Sequence, residues 1–466
     1  MKPSNENTLV RAIGLFTATL LVAGIMIGSG VFKKIIPIAQ TGLTETWILA
    51  AWVLAGVITM LSAFNLSGLA SMTEESGGVY EYLRIAFGNF YSFLFGWTDF
   101  TIIGSASVAA LGFIFAQTIN TLVPIPNPLQ HWAHISIGNF IFPFADAGIK
   151  LLAICAIGML TFVNYRGVKE SGVVSNIFTS AKMAGILFLI VLGILYVSPP
   201  VPVQPAAVAG AVVSHLEGGA FLSAFFMTML SVFWAYDGWL DIAAITGEIK
   251  NPKRNVPLAI LIGVSMATGL YVLVNYAYMN VLSLSALAAV GENEIGAAVV
   301  ASAILGNAGK TMIIVLIMVS VFGSLNGVIL SHTRIYFRMA QENYFFKKAA
   351  NVHPRHRTPH MALLYMMVWS CLLVMSGSFE ILTDMVIFAT FLFYGLLALA
   401  LVKMKRAGKI KANLIGYPVI QIIIMLFSLT LIINTIVSQP KQCLTGLLLI
   451  LSGVPFYLYF KKNEHR

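Results

Sequence analysis

The sequence predicts an all-α polytopic membrane protein with twelve spanning helices, arranged as two inverted five-helix repeats followed by two further helices. The first observation behind this prediction is composition. Of the 466 residues, 58% are hydrophobic and 10% are charged, and the mean hydropathy is +0.87. The second is the recurrence of apolar runs long enough for a bilayer core about 30 Å thick, which needs about 20 residues per helix. The third is a pair of polar interruptions, one in the first span and one in the sixth.

The apolar runs set the positions of the spans. Proline-rich stretches such as SPPVPVQP separate them, because proline ends helices where the chain reaches the interface. The spans lie at 12–36, 44–71, 87–118, 149–165, 173–196, 218–247, 257–281, 308–340, 359–377, 380–402, 413–436 and 442–460. We predict one membrane domain over the whole chain. Its first repeat, inverted second repeat and two extra helices occupy 12–197, 218–402 and 413–460.

The distribution of basic residues predicts that both termini are cytoplasmic, since lysine and arginine concentrate in cytoplasmic loops. With the N-terminus inside, 22 of the 28 lysines and arginines fall on the inner side, 5 fall outside and one, Lys182, lies within a span. The five outer residues are Lys33, Lys34, Lys150, Lys310 and Lys441. The formal net charge of +10 therefore reflects membrane topology, and we expect no nucleic-acid partner.

The first interruption is GIMIGSGVF, from Gly24 to Phe32. Glycine costs roughly 1 kcal/mol relative to alanine in a helix, and an opened backbone in hydrocarbon leaves polar groups unpaired. Two explanations are open for Gly28, Ser29 and Gly30: a polar ligand binds the open backbone, or a neighbouring helix packs unusually close.

The second interruption lies in FFMTMLSVFWAYDGWLDIAAITGE, where Asp237 and Gly238 stand near mid-span. Aromatic residues flank it, including Phe233, Trp234 and Tyr236. An odd number of spans per repeat inverts the second copy, and paired interruptions in corresponding helices indicate a transporter site. The pairing therefore favours a bound ligand over close packing.

A broken helix offers free N–H groups to an anion and free carbonyls to a cation. This combination fits an α-amino acid zwitterion. We expect the amides of Ser29, Gly30 and Val31 to bind its carboxylate, and carbonyls near Met26 and Trp234 to bind its ammonium.

Lys182 lies some nine residues, or about 14 Å, into the fifth span. A lysine at that depth costs at least about 3 kcal/mol, which favours a functional role. The alternative is that its side chain reaches back to the interface. We expect its partners to be the opened backbone around Gly28 and the polar residues Ser320 and Ser324.

Four other polar residues within the spans are candidates to line a water-filled path: Asp99, Asp237, Asp241 and Asp384. Asp237 has a second interpretation, since its carboxylate can satisfy the open amides of its own helix.

No histidine stands at catalytic spacing from a carboxylate, and neither HExxH, GxSxG nor a Walker motif occurs. Cys155, Cys371 and Cys443 match no metal motif. We therefore expect no enzyme activity, no metal and no cofactor.

Several segments together resemble the amino acid–polyamine–organocation superfamily, with the L-type amino acid transporters and their bacterial relatives as the nearest branch. They are GIMIGSGVF, ESGGVYEYLRIAFGNFYSFLFGW, NIFTSAKMAGI, FWAYDGWLDIAAITGEIKNPKRNVP and SVFGSLNGVILSHTRIYFRMAQENYF. The resemblance covers nearly the whole chain. It implies a LeuT-type fold and transport by alternating access.

The resemblance also implies residue roles. The backbone from Ile27 to Gly30 would hold the substrate carboxylate, Trp234 would act as a gate, and Lys182 would occupy the place of a sodium ion. The chain departs from the family pattern at Leu240, where an asparagine is frequent, and at Trp234, where phenylalanine is frequent. The larger gate favours small side chains. No cysteine lies between Ile119 and Ile149, so we expect a stand-alone bacterial carrier without a disulfide-linked heavy subunit.

The functions open at this point share one fold. The leading one is sodium-independent exchange or facilitated transport of small neutral L-amino acids across the cell membrane. One alternative is proton-coupled uptake, with Lys182 or Asp237 titrating. Another is a cationic amino acid or polyamine carrier, for which Asp237 or Asp241 would supply a carboxylate. A receptor is not expected, because the segments outside the spans are short.

Overall fold

The computed structural model describes residues 13–70, 72, 78–137, 141–167, 171–196, 216–291, 294–410 and 414–464. Within these residues, nine helices are long and apolar enough to cross a membrane, and three shorter apolar helices accompany them. Taken in chain order, the long and short helices correspond to the twelve predicted spans. The prediction of an all-α, multi-span protein is therefore confirmed.

The helices in the part of the chain predicted as the first repeat begin with the broken first span. They are α1 (Leu15–Met26), α2 (Gly30–Lys33), α3 (Ile35–Ala39), α4 (Glu45–Ala70), α5 (Gly78–Phe87), α6 (Asn89–Thr98), α7 (Gly104–Leu122), α8 (Ala147–Arg166) and α9 (Ser171–Leu195). A π-helical turn, Asp99–Ile103, joins α6 to α7 within the third span.

The helices of the predicted second repeat are α10 (Gly218–Tyr236), α11 (Pro252–Val281), α12 (Leu284–Ala288), α13 (Gly296–Gln341), α14 (His360–Ser376) and α15 (Phe379–Arg406). A 3-10 segment, Trp239–Glu248, follows α10. The last two spans are α16 (Val419–Ser438) and the pair α17 (Pro440–Leu451) and α18 (Gly453–Glu464).

The elements outside the predicted spans include the short helices α5 and α12. Helix α5 lies between the second and third spans, and its Tyr80 donates a hydrogen bond at 2.9 Å to Glu342, the residue after α13. The range of α13 begins twelve residues before the predicted span at 308, because it consists of two helices that meet at a kink at Gly306. Gly306 has φ 63°, a left-handed conformation that glycine adopts at little cost.

The first span lies at the centre of the bundle. Its helix α1 packs against α9, α11, α13 and the 3-10 segment after α10. The approach of α11 is close, since a Cβ atom built on Gly263 would lie 2.7 Å from Cγ1 of Val22. By contrast, α16 carries exposed apolar side chains, namely Leu426, Leu429, Ile433 and Val437. The end of α1 at the break is thus surrounded by other helices, whereas α10 packs against α4, α15 and α16 and is exposed at Leu222.

A backbone contact joins the start of the first span to the end of the sixth. The amide of Lys250 donates to the carbonyl of Ile13 at 2.8 Å, and Ile13 and Ile249 form an isolated parallel bridge. This contact closes the bundle at the end that the charge bias assigns to the cytoplasm.

Three lysines that the sequence analysis counted as outer charges are buried. Lys33 and Lys34 are 2% and 0% exposed, and Lys150 is 5% exposed. The ammonium of Lys150 donates to the carbonyl of Phe142 at 2.6 Å. Burial is possible because each ammonium finds acceptors within the protein, which a count of loop charges does not reveal.

Candidate functional site

The first interruption lies where the sequence predicted it. Helix α1 ends at Met26 and α2 begins at Gly30, so Ile27, Gly28 and Ser29 separate two pieces of one span. All three residues are buried. Their backbone polar groups therefore need partners from other elements.

Lys182 supplies the first of these partners. Its ammonium donates to the carbonyl of Gly24 and, at 2.9 Å, to the carbonyl of Ile27. The side chain is only 2% exposed, so it does not reach back to the interface. Lys182 therefore fastens α9 to the break, with acceptors where the sequence analysis expected them.

The two serines of α13 behave differently from one another. The hydroxyl of Ser320 donates to the carbonyl of Ile27 at 3.1 Å, so it shares an acceptor with Lys182 and is not its partner as the sequence predicted. Ser324 does not bond Lys182 either. Its hydroxyl is buried and has no hydrogen-bond partner among the residues that the structure describes. Ser320 thus ties α13 to the break, while Ser324 faces the space beside it.

The carbonyl of Met26, near which we expect an ammonium to bind, already has donors within the protein. It accepts the amide of Gly28 at 2.7 Å and lies 2.8 Å from the hydroxyl of Tyr271. A hydroxyl has one proton, so Tyr271 donates to one carbonyl at a time. Tyr271 lies on α11, and its hydroxyl is also 2.8 Å from the carbonyl of Ala235 on α10. The sequence around Met26 gives no indication that Tyr271 lies beside its carbonyl.

The second interruption also lies where predicted. Helix α10 ends at Tyr236, Asp237 is extended, and Gly238 has φ 95°. Only glycine adopts that φ readily. A Cβ on Gly238 would also lie 2.5 Å from Cγ2 of Ile25, so the second break packs directly onto α1.

Close packing explains Gly30 in the same way. A Cβ built there would lie 2.6 Å from Cα and 2.7 Å from Cβ of Ala235. The alternative of close helix packing therefore holds for this glycine, whatever binds nearby. At Gly28 the nearest atom to such a Cβ is the Ser324 hydroxyl oxygen at 3.5 Å, an ordinary contact.

Trp234 bridges the two breaks. Its indole Nε1 donates to the hydroxyl of Ser29 at 3.1 Å. Its ring meets the ring of Phe379 edge-on, with centroids 5.9 Å apart. The indole therefore covers the opened backbone on the side where Phe379 lies.

A cavity of about 40 Å³ lies between the two breaks. Seven predicted site residues line it: Met26, Gly28, Ser29, Gly30, Trp234, Asp237 and Gly238. Four others do not: Ile27, Val31, Phe233 and Tyr236. Phe233 stacks edge-on with Phe391, and the hydroxyl of Tyr236 donates to the carbonyl of Trp52 at 2.8 Å. These two aromatic residues hold α10 in place.

A second cavity, of about 60 Å³, extends from the second break towards α5. Its lining includes Gly78, Val79, Leu240 and Ile335. Both cavities are lined by the same three polar side chains, Asp237, Asp241 and His332. These side chains therefore stand between the two spaces.

His332 is paired with carboxylates, a feature that the sequence analysis missed. Its Nδ1 lies 2.9 and 3.0 Å from the two carboxylate oxygens of Asp99, and its Nε2 lies 3.5 Å from Oδ1 of Asp241. The Ser331 hydroxyl donates to the other oxygen of Asp241 at 2.9 Å. Asp99 is 233 residues away from His332, so no local spacing shows the pair. The available signal was that buried carboxylates need a cation.

A separate charged network lies near Phe379. The ammonium of Lys34 contacts Glu380, donates to the Thr383 hydroxyl at 2.7 Å and lies 3.8 Å from Asp384. Asp384 also accepts from Gln439 at 2.8 Å. Asp384 therefore belongs to this network and does not line either cavity, contrary to one sequence-based expectation.

Both lysines at the end of the first span also contact an aromatic ring. The ammonium groups of Lys33 and Lys34 lie 5.1 and 5.2 Å from the centre of the Phe379 ring, within cation–π range. Lys33 also donates to Gln117 at 2.6 Å. The network packs over the same ring that Trp234 touches. Across the described residues, no group of three or more histidines, cysteines or acids is arranged to hold a metal ion.

Comparison with known proteins gives one consistent result. The family model described as "Amino acid permease" matches residues 13–458. The chain is 29% identical over 466 residues to the serine/threonine exchanger SteT of Bacillus subtilis (strain 168), covering 99% of both chains. It is 30% identical over 458 residues to b(0,+)-type amino acid transporter 1 of Mus musculus, covering 97% of this chain and 88% of that protein. It is 28% identical over 466 residues to human large neutral amino acids transporter small subunit 2, covering 98% and 82%.

Proposed function

Because the chain belongs to the amino acid permease family, we propose that it is a sodium-independent carrier that exchanges small neutral L-amino acids by alternating access. Family membership confirms the predicted resemblance, the LeuT-type fold and the prediction that the chain is a transporter and not an enzyme. The observation that carries the proposal is the position of the two broken helices, which face each other across one cavity.

In the proposed binding mode, the substrate carboxylate faces the amides of Ser29, Gly30 and Val31. The backbone from Ile27 to Gly30 forms this end of the site. Since the Met26 carbonyl is occupied, the ammonium faces the last carbonyls of α10 around Trp234, which lack intrahelical partners at the helix end. Trp234 covers the substrate and limits its size.

Sodium independence follows from the role proposed for Lys182. Its ammonium lies between α1 and α9, bonded to two backbone carbonyls. Carbonyl oxygens there would otherwise suit a bound ion. With Ser320 on the same Ile27 carbonyl, the lysine and the serine join the break to both neighbouring helices without an ion.

A cationic amino acid is the second candidate substrate. Asp237 and Asp241 border the cavity between the breaks and would attract a positively charged side chain. The chain is about equally similar to a relative named serine/threonine exchanger and to one named b(0,+)-type amino acid transporter 1. An uptake experiment therefore has to decide between a neutral and a cationic substrate.

The membrane setting extends the proposal. The carrier lies in the cell membrane, with both termini in the cytoplasm, as the 22 inner basic residues indicate. It works without a disulfide-linked partner, since no cysteine lies between Ile119 and Ile149.

The test is uptake of a panel of labelled amino acids into proteoliposomes. Unlabelled serine or alanine inside should stimulate uptake of labelled small neutral amino acids, and replacing sodium with choline should change nothing. Amino acid methyl esters and decarboxylated amines should compete poorly, because each lacks one charge of the zwitterion. Uptake that collapses in choline, or that accepts only lysine and arginine, would contradict the proposal.

A further inference from the structure

The contacts of His332 with Asp99 and Asp241 imply one proton more than a neutral imidazole and two carboxylates would carry. A neutral imidazole has one N–H and one lone pair. Both nitrogens of His332 face carboxylates, Asp99 at 2.9 Å and Asp241 at 3.5 Å. A lone pair facing a carboxylate is repulsive, so either the imidazole is protonated on both nitrogens or one carboxyl carries the proton.

Among the residues that the structure describes, the ion pairs of Asp99 and Asp241 are both with His332. The side chains of Asp99, His332 and Asp241 are 1%, 10% and 11% exposed. Even a charged His332 faces three carboxylates, because Asp237 lines the same two cavities. Excess buried charge is costly, so proton uptake is the direct way to reduce it.

The position of the cluster links its proton to movement. Asp99 lies in the π-helical turn, an irregularity that often marks functional sites. Asp241 lies in the 3-10 segment after the second break, and His332 lies on α13. One imidazole therefore connects α13 and the segment after α10, which border both cavities, to the π-helical turn, which borders the second cavity.

We propose that Asp99, His332 and Asp241 form a proton-binding site that closes the inner side of the substrate cavity. Release of the proton separates His332 from Asp241 and opens the path towards the second cavity and α5. An amino acid would then enter the cell together with a proton that binds from outside and leaves inside. This inference rests on the proposed transport function and adds a driving ion to it.

Other titratable groups near the imidazole compete with it for the proton. From the segment after α10 comes Asp237, from α15 comes Tyr394, and from α13 itself comes Tyr336, whose hydroxyl donates to the Asp99 carbonyl at 3.2 Å. Only Asp237 among them is a carboxylate, so it is the one group that can hold the proton in place of the cluster.

The test separates transport from proton coupling in two assays on purified protein. The first is exchange between labelled external and unlabelled internal amino acid at equal pH. The second is uptake into empty proteoliposomes with the exterior more acidic by one pH unit, which supports about tenfold accumulation if one proton accompanies each substrate. A pH-sensitive dye inside the vesicles should report substrate-dependent acidification.

The variant His332→Gln keeps a hydrogen-bond donor for Asp99 but cannot gain a proton. It should lose stimulation by the pH gradient and the dye signal, while exchange persists at a reduced rate. Asp241→Asn should do the same, which covers the case that one variant fails to fold. The control His131→Gln alters an exposed histidine in the loop after α7 and should retain both activities.

The outcomes are distinct. Wild-type protein that exchanges amino acids without any effect of the gradient overturns the proton site and leaves the proposed function standing. Full stimulation in both His332→Gln and Asp241→Asn also overturns it. Wild-type protein that shows no transport in either assay contradicts the proposed function itself.

Discussion

Both broken helices expose backbone polar groups that need partners, but the side chains around the two breaks differ in chemistry. The carbonyls of the first break are bound by side-chain donors, namely Lys182, Ser320 and Tyr271. The second break instead carries Asp237 and Asp241, beside a single imidazole. One break is thus held by side-chain donors on backbone carbonyls, and the other carries carboxylates beside an imidazole.

This difference separates two tasks within one site. A carbonyl cannot titrate near neutral pH, so the bonds around Ile27 persist whenever Lys182 keeps its donors. Carboxylates and imidazole exchange protons, so contacts at the second break depend on the proton supply on each side of the membrane. The first break is suited to holding the substrate and the second to regulating its exit.

The largest effect is expected at the point where the breaks touch. Gly30→Ala places a methyl group 2.6 Å from the backbone of Ala235, which cannot rotate away. Overpacking of this kind costs about 1–3 kcal/mol and should reduce exchange at least about tenfold. Gly28→Ala is the matched control, because its new methyl group would meet only Ser324 at 3.5 Å. Equal loss in both variants would show that the cavity, not the contact with Ala235, requires these glycines.

The next effect tests whether the first break depends on the Lys182 side chain. Lys182→Ala removes the side-chain donor of the Gly24 carbonyl and leaves the Ile27 carbonyl with Ser320, and a buried group left unsatisfied costs about 1–3 kcal/mol. Transport should fall by at least about tenfold, and circular dichroism should show a folded protein. Lys441→Ala, at an exposed site on α17, is the control. Normal transport by Lys182→Ala would show that transport does not require this lysine.

A smaller effect is expected for the residue that bridges the breaks. Trp234→Phe keeps an apolar cover but removes the hydrogen bond to Ser29, worth about 1 kcal/mol or roughly fivefold in affinity. Trp234→Ala should weaken binding further and admit larger side chains. Competition by amino acids of increasing size measures both. Unchanged affinity and unchanged size preference would mark Trp234 as ordinary helix packing.

The smallest effect concerns two serines one turn apart on α13. Ser320→Ala removes one of several bonds at the Ile27 carbonyl and should lower stability by about 0.5–1.5 kcal/mol. Ser324→Ala removes a buried hydroxyl that has no partner among the described residues, so it should cost less or nothing. Thermal unfolding in detergent compares them. A larger loss for Ser324→Ala would mean that its hydroxyl serves the first break after all.

Local rules were enough to predict the spans, both breaks and the depth of Lys182. Glycine in an apolar run, an extended Asp-Gly pair and a lone lysine far from the interface each carry their physical cost within a few residues. These costs are visible in a single sequence. They indicated where the backbone opens and that Lys182 is buried, while its place beside the first break was implied by the family resemblance.

Partners from distant spans could not be predicted in the same way. Tyr271 occupies the Met26 carbonyl from 245 residues away, and Lys34 meets Glu380 across 346 residues. His332 looked like a residue near the inner end of a span, and only packing shows the carboxylate on each side of it. Which donor meets which acceptor depends on the arrangement of helices, and one sequence does not contain that arrangement.

The contact between the Lys250 amide and the Ile13 carbonyl is made of main-chain atoms alone. It is therefore independent of the side chains at both positions, and proline at 250 is the one natural replacement that removes the donor. Any other change of side chain at either position therefore leaves the main-chain donor and acceptor of this contact in place. Alanine also keeps the backbone N–H and C=O groups, so alanine substitution at either position does not test this contact. The contact between the two spans can thus be inherited with the backbone conformation while the residue types at both positions change.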